Sequence, residues 1–545
     1  MLDLCNRDGY ADEATYHAFG GEINPSLLKL KYLNLSSASF GGIIPLNLGN
    51  LSRLIYLDLG NDFGHPIETD LQWLATLSSL KYLNLEGVNL AKTTSYWLPT
   101  VNMLPSLVEL HLPFCRPPML PLSKKSRSLG NLALLDLSNN KFTSTIPPWL
   151  FNLTELEIYF DLSYNSLQGS IPKSIGNLTS LEEFDLAWNQ MSGIIPESLG
   201  ELLSLVSLDI YGSTWEGAIT EAHFAKLGGL RRVSIENNSL NISLVFNISS
   251  DWIPPFKLRS LHIRSCQLGP KFPTWLRNQT ELTTVALNNA RISNTILDWF
   301  LQLDLQLDFL DVSYNQLSGT VPNSLRFSFY SVVDLSSNRY EGPLPLWSSN
   351  ITMLFLRDNL FSGPIPHNIS QVLPNLTHLD ISRNFLSGSI PHFWNNIPSL
   401  YIVDMSNNIS GTIPRSLGSL TSLRVFFLYS NNFSGEVPFL KNCSDMKILD
   451  LGDNKFFGPI PAFIGESMLS LKILRLRSNS FTGSIPLQLC GLSTLHILDF
   501  SHNNLSGNIP HCIGNLSGLK FEFTDRYRSL WSRGKVGGGV KRKNA

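Results

Sequence analysis

Residues 471–510 read LKILRLRSNSFTGSIPLQLCGLSTLHILDFSHNNLSGNIP. LxxLxLxxNxFxGxIP in this stretch is followed, 24 residues later, by LxxLxFxxNxLxGxIP. A period in the twenties with this apolar spacing marks a stacking unit, because one such coil cannot bury its own leucines. Followed back through the chain, the first apolar residue of each unit falls at Leu30, Leu54, Leu80, Leu107, Leu132, Leu156, Leu181, Leu205, Leu230, Leu258, Leu282, Leu307, Tyr330, Ile351, Leu376, Leu400, Leu423, Met446, Leu471 and Leu495. That gives about 20 units, spaced 21 to 28 residues apart.

One unit shows the physics. In LALLDLSNNKFTSTIP (residues 132–147) the alternation is that of a short strand, with Leu135 and Leu137 turned in and Asp136 and Ser138 turned out. Asn140 turns the chain out of the sheet, and its amide can satisfy backbone groups of adjacent coils. Phe142 returns to the core. Other copies continue with Gly-x-Ile-Pro, as at 169–172 and 193–196. Glycine allows the tight bend and proline ends the segment. A short helical or 3₁₀ turn such as KSIGNLTSL then leads to the next strand. The expected fold is an α/β solenoid, a plant-type leucine-rich-repeat superhelix with a parallel sheet on the concave face and short 3₁₀ or helical turns on the convex side. About 20 strands at about 4.8 Å make a sheet on the order of 100 Å long.

Three regions follow: a degenerate cap at 1–29, the repeats at 30–520, and a Gly-rich basic tail at 521–545 that reads as disordered. Residues 2–4 (LDL) suggest a partial strand. LEIYFDL (156–162) has one residue too many and suggests a bulge, whereas MSNNISG (405–411) is one short. The unit at Leu230 carries an insertion whose Trp252 is expected to tuck against the flank.

A net charge of −2 gives no global argument for nucleic acid or an anionic membrane. Six cysteines are too few and too scattered for a disulfide scaffold. Cys115 and Cys266 occupy the repeat's Asn position and read as buried hydrogen-bonding substitutes; Cys443 replaces a core Leu, and Cys5 has no near neighbour to pair with. Sixteen Asn-x-Ser/Thr sequons point to the secretory route. Asn50, Asn152, Asn177, Asn278, Asn350, Asn368, Asn432 and Asn515 are the candidate glycosylation sites, many of them in the loop ahead of a strand on the outer side of the stack. Residues 1–10 lack the basic start and apolar run of a signal peptide, and no stretch approaches about 20 apolar residues.

No phosphate-cradling loop, kinase motif, HExxH or zinc-spaced Cys/His cluster is present, so neither an enzyme nor a cofactor or metal is expected. A file of aspartates (Asp136, Asp161, Asp185, Asp311, Asp334, Asp380, Asp404, Asp450, Asp499) belongs to the LDLS pattern and is expected to face solvent on the sheet. The informative positions are aromatic or basic residues that break the pattern on the inner face, since the repeat does not require them there. One group is Trp188, Tyr211, Arg232, Glu236, His262 and Arg264. The other is Phe355, Arg357, Arg383, Phe427, Tyr429, Arg475 and Arg477. Aromatics and arginine are enriched in binding hot spots, and a rigid sheet needs little ordering on binding.

LxGxIPxxLGNLxxLxxLxLxxN is similar to the plant extracellular repeat. Residues 249–300, GEINPSLLKLKYLNLS near the start and HNNLSGNIPHCIGNLSGLK near the end resemble plant leucine-rich-repeat receptor-like proteins of the ethylene-inducing-xylanase-receptor type. The resemblance covers about residues 20–520. It implies a cell-surface protein on the extracellular side of the plasma membrane that senses a protein or peptide ligand such as a microbial elicitor and signals through a receptor-kinase partner. It also implies a signal peptide, a cysteine-paired cap, an island, further repeats and a membrane helix. These are absent from the sequence, which suggests a fragment, a truncated gene model or a splice product. The alternatives are a soluble inhibitor of a microbial wall-degrading enzyme and a non-signalling remnant.

Overall fold

The computed structural model describes residues 28–520 except 38–39, 62–66, 70, 92, 94–96, 121–127, 239–242, 296–297, 348–349 and 408, together with 2–3 and 17–18. The 521–545 tail, most of the 1–29 cap and Cys5 lie outside the described residues. The chain divides into two compact units, Met1–Gln316 and Leu317–Ala545.

In the first unit each coil contributes a strand to the main sheet, and these strands pair in parallel in chain order. The strands run from Tyr32–Asn34, Tyr56–Asp58 and Tyr82–Asn84 to Thr284–Ala286 and Gln306–Asp311. Register aligns like with like: Leu33 with Leu57, Leu57 with Leu83, Leu135 with Phe160, Phe160 with Phe184. The central apolar residue of each strand therefore packs against its own counterparts, and these positions are buried throughout. Each such leucine removed from water contributes about 2 kcal/mol. At the start, Leu2–Asp3 pairs in parallel with Leu33 and Asn34, as the LDL motif suggested.

The second unit repeats the scheme from Arg326–Asp334 and Ile351–Phe355 to Ile473–Arg475 and Ile497–Asp499. Both units also carry a narrower parallel ladder that the sequence did not announce, in the first as Gln168–Gly169 with Gln190–Ile194. The stretch after the repeat's Asn is extended and pairs with the same stretch one coil on, as in Ser318–Thr320 with Arg339–Gly342 and Lys455–Pro459 with Ser480–Gly483. Proline then opens a 3₁₀ turn. In the first unit Pro172 (φ −65°, ψ 143°) precedes Lys173–Asn177 in this way.

The Asn positions form a buried ladder. Asn165 Oδ1 accepts from the Asn140 and Phe142 N–H groups of the preceding coil at 3.0 Å each. Its Nδ2 donates to the carbonyls of Leu137, Leu162 and Ser163. One side chain thus satisfies five backbone groups on two coils, which would otherwise be buried unpaired. Cysteine does part of this work where it replaces Asn: buried Cys115 Sγ lies 2.9 Å from the Leu85 carbonyl and Cys266 Sγ 3.1 Å from that of Arg264. Burial pushes the Cys266 thiol up to about 12, so it stays protonated. Cys443 is buried as a core substitute.

The extra residue of LEIYFDL is absorbed ahead of the strand. Glu182 and Glu183 N–H donate to two successive carbonyls, Glu157 and Ile158, whereas Val206 and Ser207 N–H share the one carbonyl of Glu182. Tyr159–Asp161 then pairs in register on both sides. Trp252 is half-buried and packs edge-on against Phe256, ring centroids 6.1 Å apart. One position is corrected. Tyr330, expected to start a unit in the core, is 83% exposed with φ +65°. Ser331 takes the core place, pairing with Ile351 through a register shift and donating to the Ser328 carbonyl. The coil is one residue short there, so the chain slips to keep Val333 and Leu335 inside. The cysteine expectation missed one bridge, Cys490–Cys512, which joins the 3₁₀ turns Leu487–Gly491 and His511–Asn515 of adjacent coils. Its 22-residue separation, close to one repeat, was the available signal.

Candidate ligand-binding face

The aspartate file is only partly open to solvent: Asp136, Asp185, Asp334, Asp380 and Asp499 are half-buried. Asp161, Asp311, Asp404 and Asp450 are buried. The cause is local: in each coil Oδ1 accepts the backbone N–H two residues on, as in Asp136–Ser138, Asp161–Ser163, Asp185–Ala187, Asp311–Ser313 and Asp404–Ser406. The carboxylate closes the turn that ends the strand, and the next coils cover it. Asn does the same at Asn34 and Asn84. Among the described residues, no cluster of these groups is arranged to hold a metal ion. Burial, then the Asp161 charge, push Asp185 up to about 8. Burial and Asp380 raise Asp404 to about 7.

The first candidate group, apart from Arg232, gathers along one track in the first unit. Trp188 (46% exposed) stacks on Tyr164 at 6.0 Å and lies 5.1 Å from the Tyr211 ring. Tyr164, 54% exposed, was missed; it sits in Trp188's slot one coil earlier. Arg264 lies over the Tyr211 ring at 6.0 Å, and its Nη1 is 3.4 Å from that hydroxyl. Its Nη2 is 3.4 Å from Asp311 Oδ2. Burial, then Glu236, push the Tyr211 hydroxyl up. His262 packs near Phe309, where burial lowers its basicity. Arg232 stands apart, bridged to Glu183 at 2.8 Å and bonded to Ser207.

Trp188 and Arg383 are not strand residues. Both occupy the turn position after the strand, at φ +54° and +53°, which Asn139, Tyr164, Asn289 and His502 also fill. The backbone N–H there is spent on the next coil, Trp188 to Tyr211 at 2.7 Å and Arg383 to Ser406 at 3.0 Å, and the side chain is left at the rim. Gly212, at φ +78°, makes room for the indole: a Cβ there would come within 3.2 Å of Trp188 Cε3.

The second group, in the second unit, is not one surface. Arg357, with its side chain only 13% exposed, points Nη1 at Asp380 (3.9 Å) and Asp404 (3.7 Å). Arg475 pairs with buried Asp450 at 3.7 Å. Both cations serve the interior. Phe355 approaches His378 at 6.4 Å, and Phe427 meets Tyr429 edge-on at 6.2 Å. Arg477, near Asp453 at 3.8 Å, is the exposed cation of the set.

Of the sequon asparagines, Asn50, Asn152, Asn177, Asn278 and Asn515 close 3₁₀ turns away from the strands. Asn50, Asn152, Asn177 and Asn515 are exposed, and Asn278 is half-buried. Asn432 is exposed at the start of a strand of the narrow ladder, Asn368 precedes a short helix, and half-buried Asn350 donates to the Phe327 carbonyl.

A leucine-rich-repeat-region model matches residues 67–321, and a single leucine-rich-repeat model matches 29–51, 375–397, 470–492 and 494–516. These fall on the coils described above. The chain is a leucine-rich-repeat solenoid, similar to plant receptor-like proteins. The chain is 38% identical over 187 residues to receptor-like protein EIX2 of Solanum lycopersicum, covering 34% of this chain and 18% of that protein. For EIX1 of the same plant the values are 40% over 134 residues, 24% and 13%. The matched stretches thus span under a fifth of the length of these relatives. Among solved structures, the ectodomain of the Arabidopsis thaliana receptor kinase GASSHO1/SCHENGEN3, in complex with Casparian strip integrity factor 2, matches at TM-score 0.68 and 28% identity over 90% of this chain and 60% of that one. The plant peptide hormone receptor RGFR1 in complex with RGF2 matches at TM-score 0.63 and 25% identity, over 94% and 85%. Solenoids of this kind bind ligands without catalysis. No helix among the described residues is long and apolar enough to cross a membrane.

Proposed function

We propose that the chain is the ligand-recognition part of a plant cell-surface receptor-like protein. It acts on the extracellular side of the plasma membrane in defence, binding a protein or peptide such as a microbial elicitor across the concave sheet face and signalling through a receptor-kinase partner. The observation that carries this reading is the run of exposed and half-buried aromatic and basic side chains in outward slots that the repeat leaves free: Trp188, Tyr211 and Arg264 in one unit, Phe427, Tyr429 and Arg477 in the other. Such rigid anchors lose little entropy on binding. Two solved structures of similar architecture are complexes, one with Casparian strip integrity factor 2 and the other with RGF2. The eight sequons singled out are proposed to carry glycans; six of them lie beside or within the turns away from the main sheet.

The test is to select binders for the secreted chain from a display library of microbial secreted proteins, then measure them against Arg477→Glu and Tyr429→Ala. A loss of about tenfold or more in affinity is expected. Arg475 is unsuitable for charge reversal, because a carboxylate there would face buried Asp450. Unchanged affinity in both variants removes the second group from the binding surface.

A further inference from the structure

In the first unit the exposed Tyr164 and Trp188 rings and the half-buried Tyr211 ring follow aspartates that have no cation of their own. Tyr164, Trp188 and Tyr211 each follow their own coil's aspartate, Asp161, Asp185 or Asp209, by two or three residues. Those aspartates stand in adjacent register, Asp136 opposite Asp161, Asp161 opposite Asp185, Asp185 opposite Asp209. Among the described residues, neither arginine nor lysine is ion-paired with any of the four. Nearby charges are already engaged: Arg232 with Glu183, and Arg264 with Asp311 beside Tyr211 and Glu236. Tyr159 donates to Asp161 Oδ2 at 2.6 Å, and His111 is near Asp136.

The same chain shows what such a place accepts. Arg264 lays its guanidinium by the Tyr211 ring and reaches a buried carboxylate with the same group. Arg357 reaches two carboxylates, Asp380 and Asp404. A planar cation satisfies both halves of this arrangement, since it stacks on an aromatic face and forks to carboxylate oxygens. We propose that the Tyr164–Trp188–Tyr211 strip, with the half-buried carboxylates of Asp185 and Asp209, binds an arginine side chain of an extended peptide ligand. The charge complementarity and the exposed rings together select an arginine-bearing peptide over an acidic or purely apolar one. This deepens the ligand-recognition reading above and rests on it. Burial and Asp161 keep Asp185 protonated near neutral pH, so the incoming guanidinium displaces a proton and binding tightens as pH rises.

The experiment uses the whole secreted chain and three capped peptides of alternating glycine with arginine, lysine or citrulline, measured by calorimetry at about 0.15 M salt. The arginine peptide is expected to bind at least tenfold more tightly than the lysine peptide, and the citrulline peptide not at all. Trp188→Asn, which suits the left-handed turn that Asn139 and Asn289 already fill, and Asp185→Asn should each weaken arginine binding tenfold. Lysine binding equal to arginine overturns the proposal, as does affinity unchanged in both variants. No binding of the arginine peptide also overturns it, while leaving the broader reading to stand or fall on the Arg477 and Tyr429 variants.

Discussion

The two units treat one repeat position in opposite ways. In the first, four successive coils place Asp136, Asp161, Asp185 and Asp209 side by side. In the second, the same position reads Phe355, Asp380, Asp404, Phe427, Asp450, Arg475, Asp499, so carboxylates never run beyond two and arginine stands beside them. Asp450, next to Arg475, reaches only about 6, whereas Asp185, flanked by two aspartates, reaches about 8. The local turn needs one acceptor oxygen per coil and is indifferent to charge. Charge becomes a problem only when coils stack, and the second unit solves it internally while the first leaves it open.

The largest expected effect comes from removing the second unit's solution. Arg357→Met strands Asp380 and Asp404 without their cation and should cost about 3 kcal/mol, read as a lower denaturation midpoint in urea. The loss should shrink as the pH falls through about 7, where Asp404 takes up its proton. If the midpoint is unchanged at pH 8, the arginine does not compensate the pair. Asp185→Asn should act in the opposite direction. The unfolded carboxyl titrates near about 4 and the folded one near 8, so the fold holds a proton that the unfolded chain has released between those values. Wild-type stability in this unit therefore falls as pH rises from about 4 to 8. Asn keeps the turn's acceptor, as at Asn34 and Asn84. The variant should match wild type at pH 4 and melt about 2 °C or more higher at pH 8 by scanning fluorimetry. Equal melting at both values would mean the file carries no repulsion. The smallest effect belongs to Arg477→Ala: its pair with Asp453 is exposed on both sides and should be worth under about 0.5 kcal/mol, a useful contrast with Arg357.

The strands, the Asn ladder and the core leucines were legible because stacking forces every coil to repeat them. The aspartate's task was not, since an outward strand position and a turn-closing one look the same in LDLS; only the stack shows that the carboxylate is covered. The two arginines misread as free surface, Arg357 and Arg475, share that cause: their partners lie one or two coils away, some 20 to 50 residues along the chain. Tyr330 was misplaced because counting three residues back from Val333 ignores a slip that only pairing with Ile351 reveals. Tyr164 could have been found by comparing it with Trp188, its counterpart one coil later.

The left-handed turn after each strand has a wider consequence. Its backbone N–H is committed to the next coil whatever side chain it carries, and the chain places Asn, Tyr, Trp, Arg, Asp, Ser and His there. Structural duty and chemical lettering are thus held by different atoms of one residue. A lineage can rewrite that margin one coil at a time and acquire a new recognition text without renegotiating the fold that displays it.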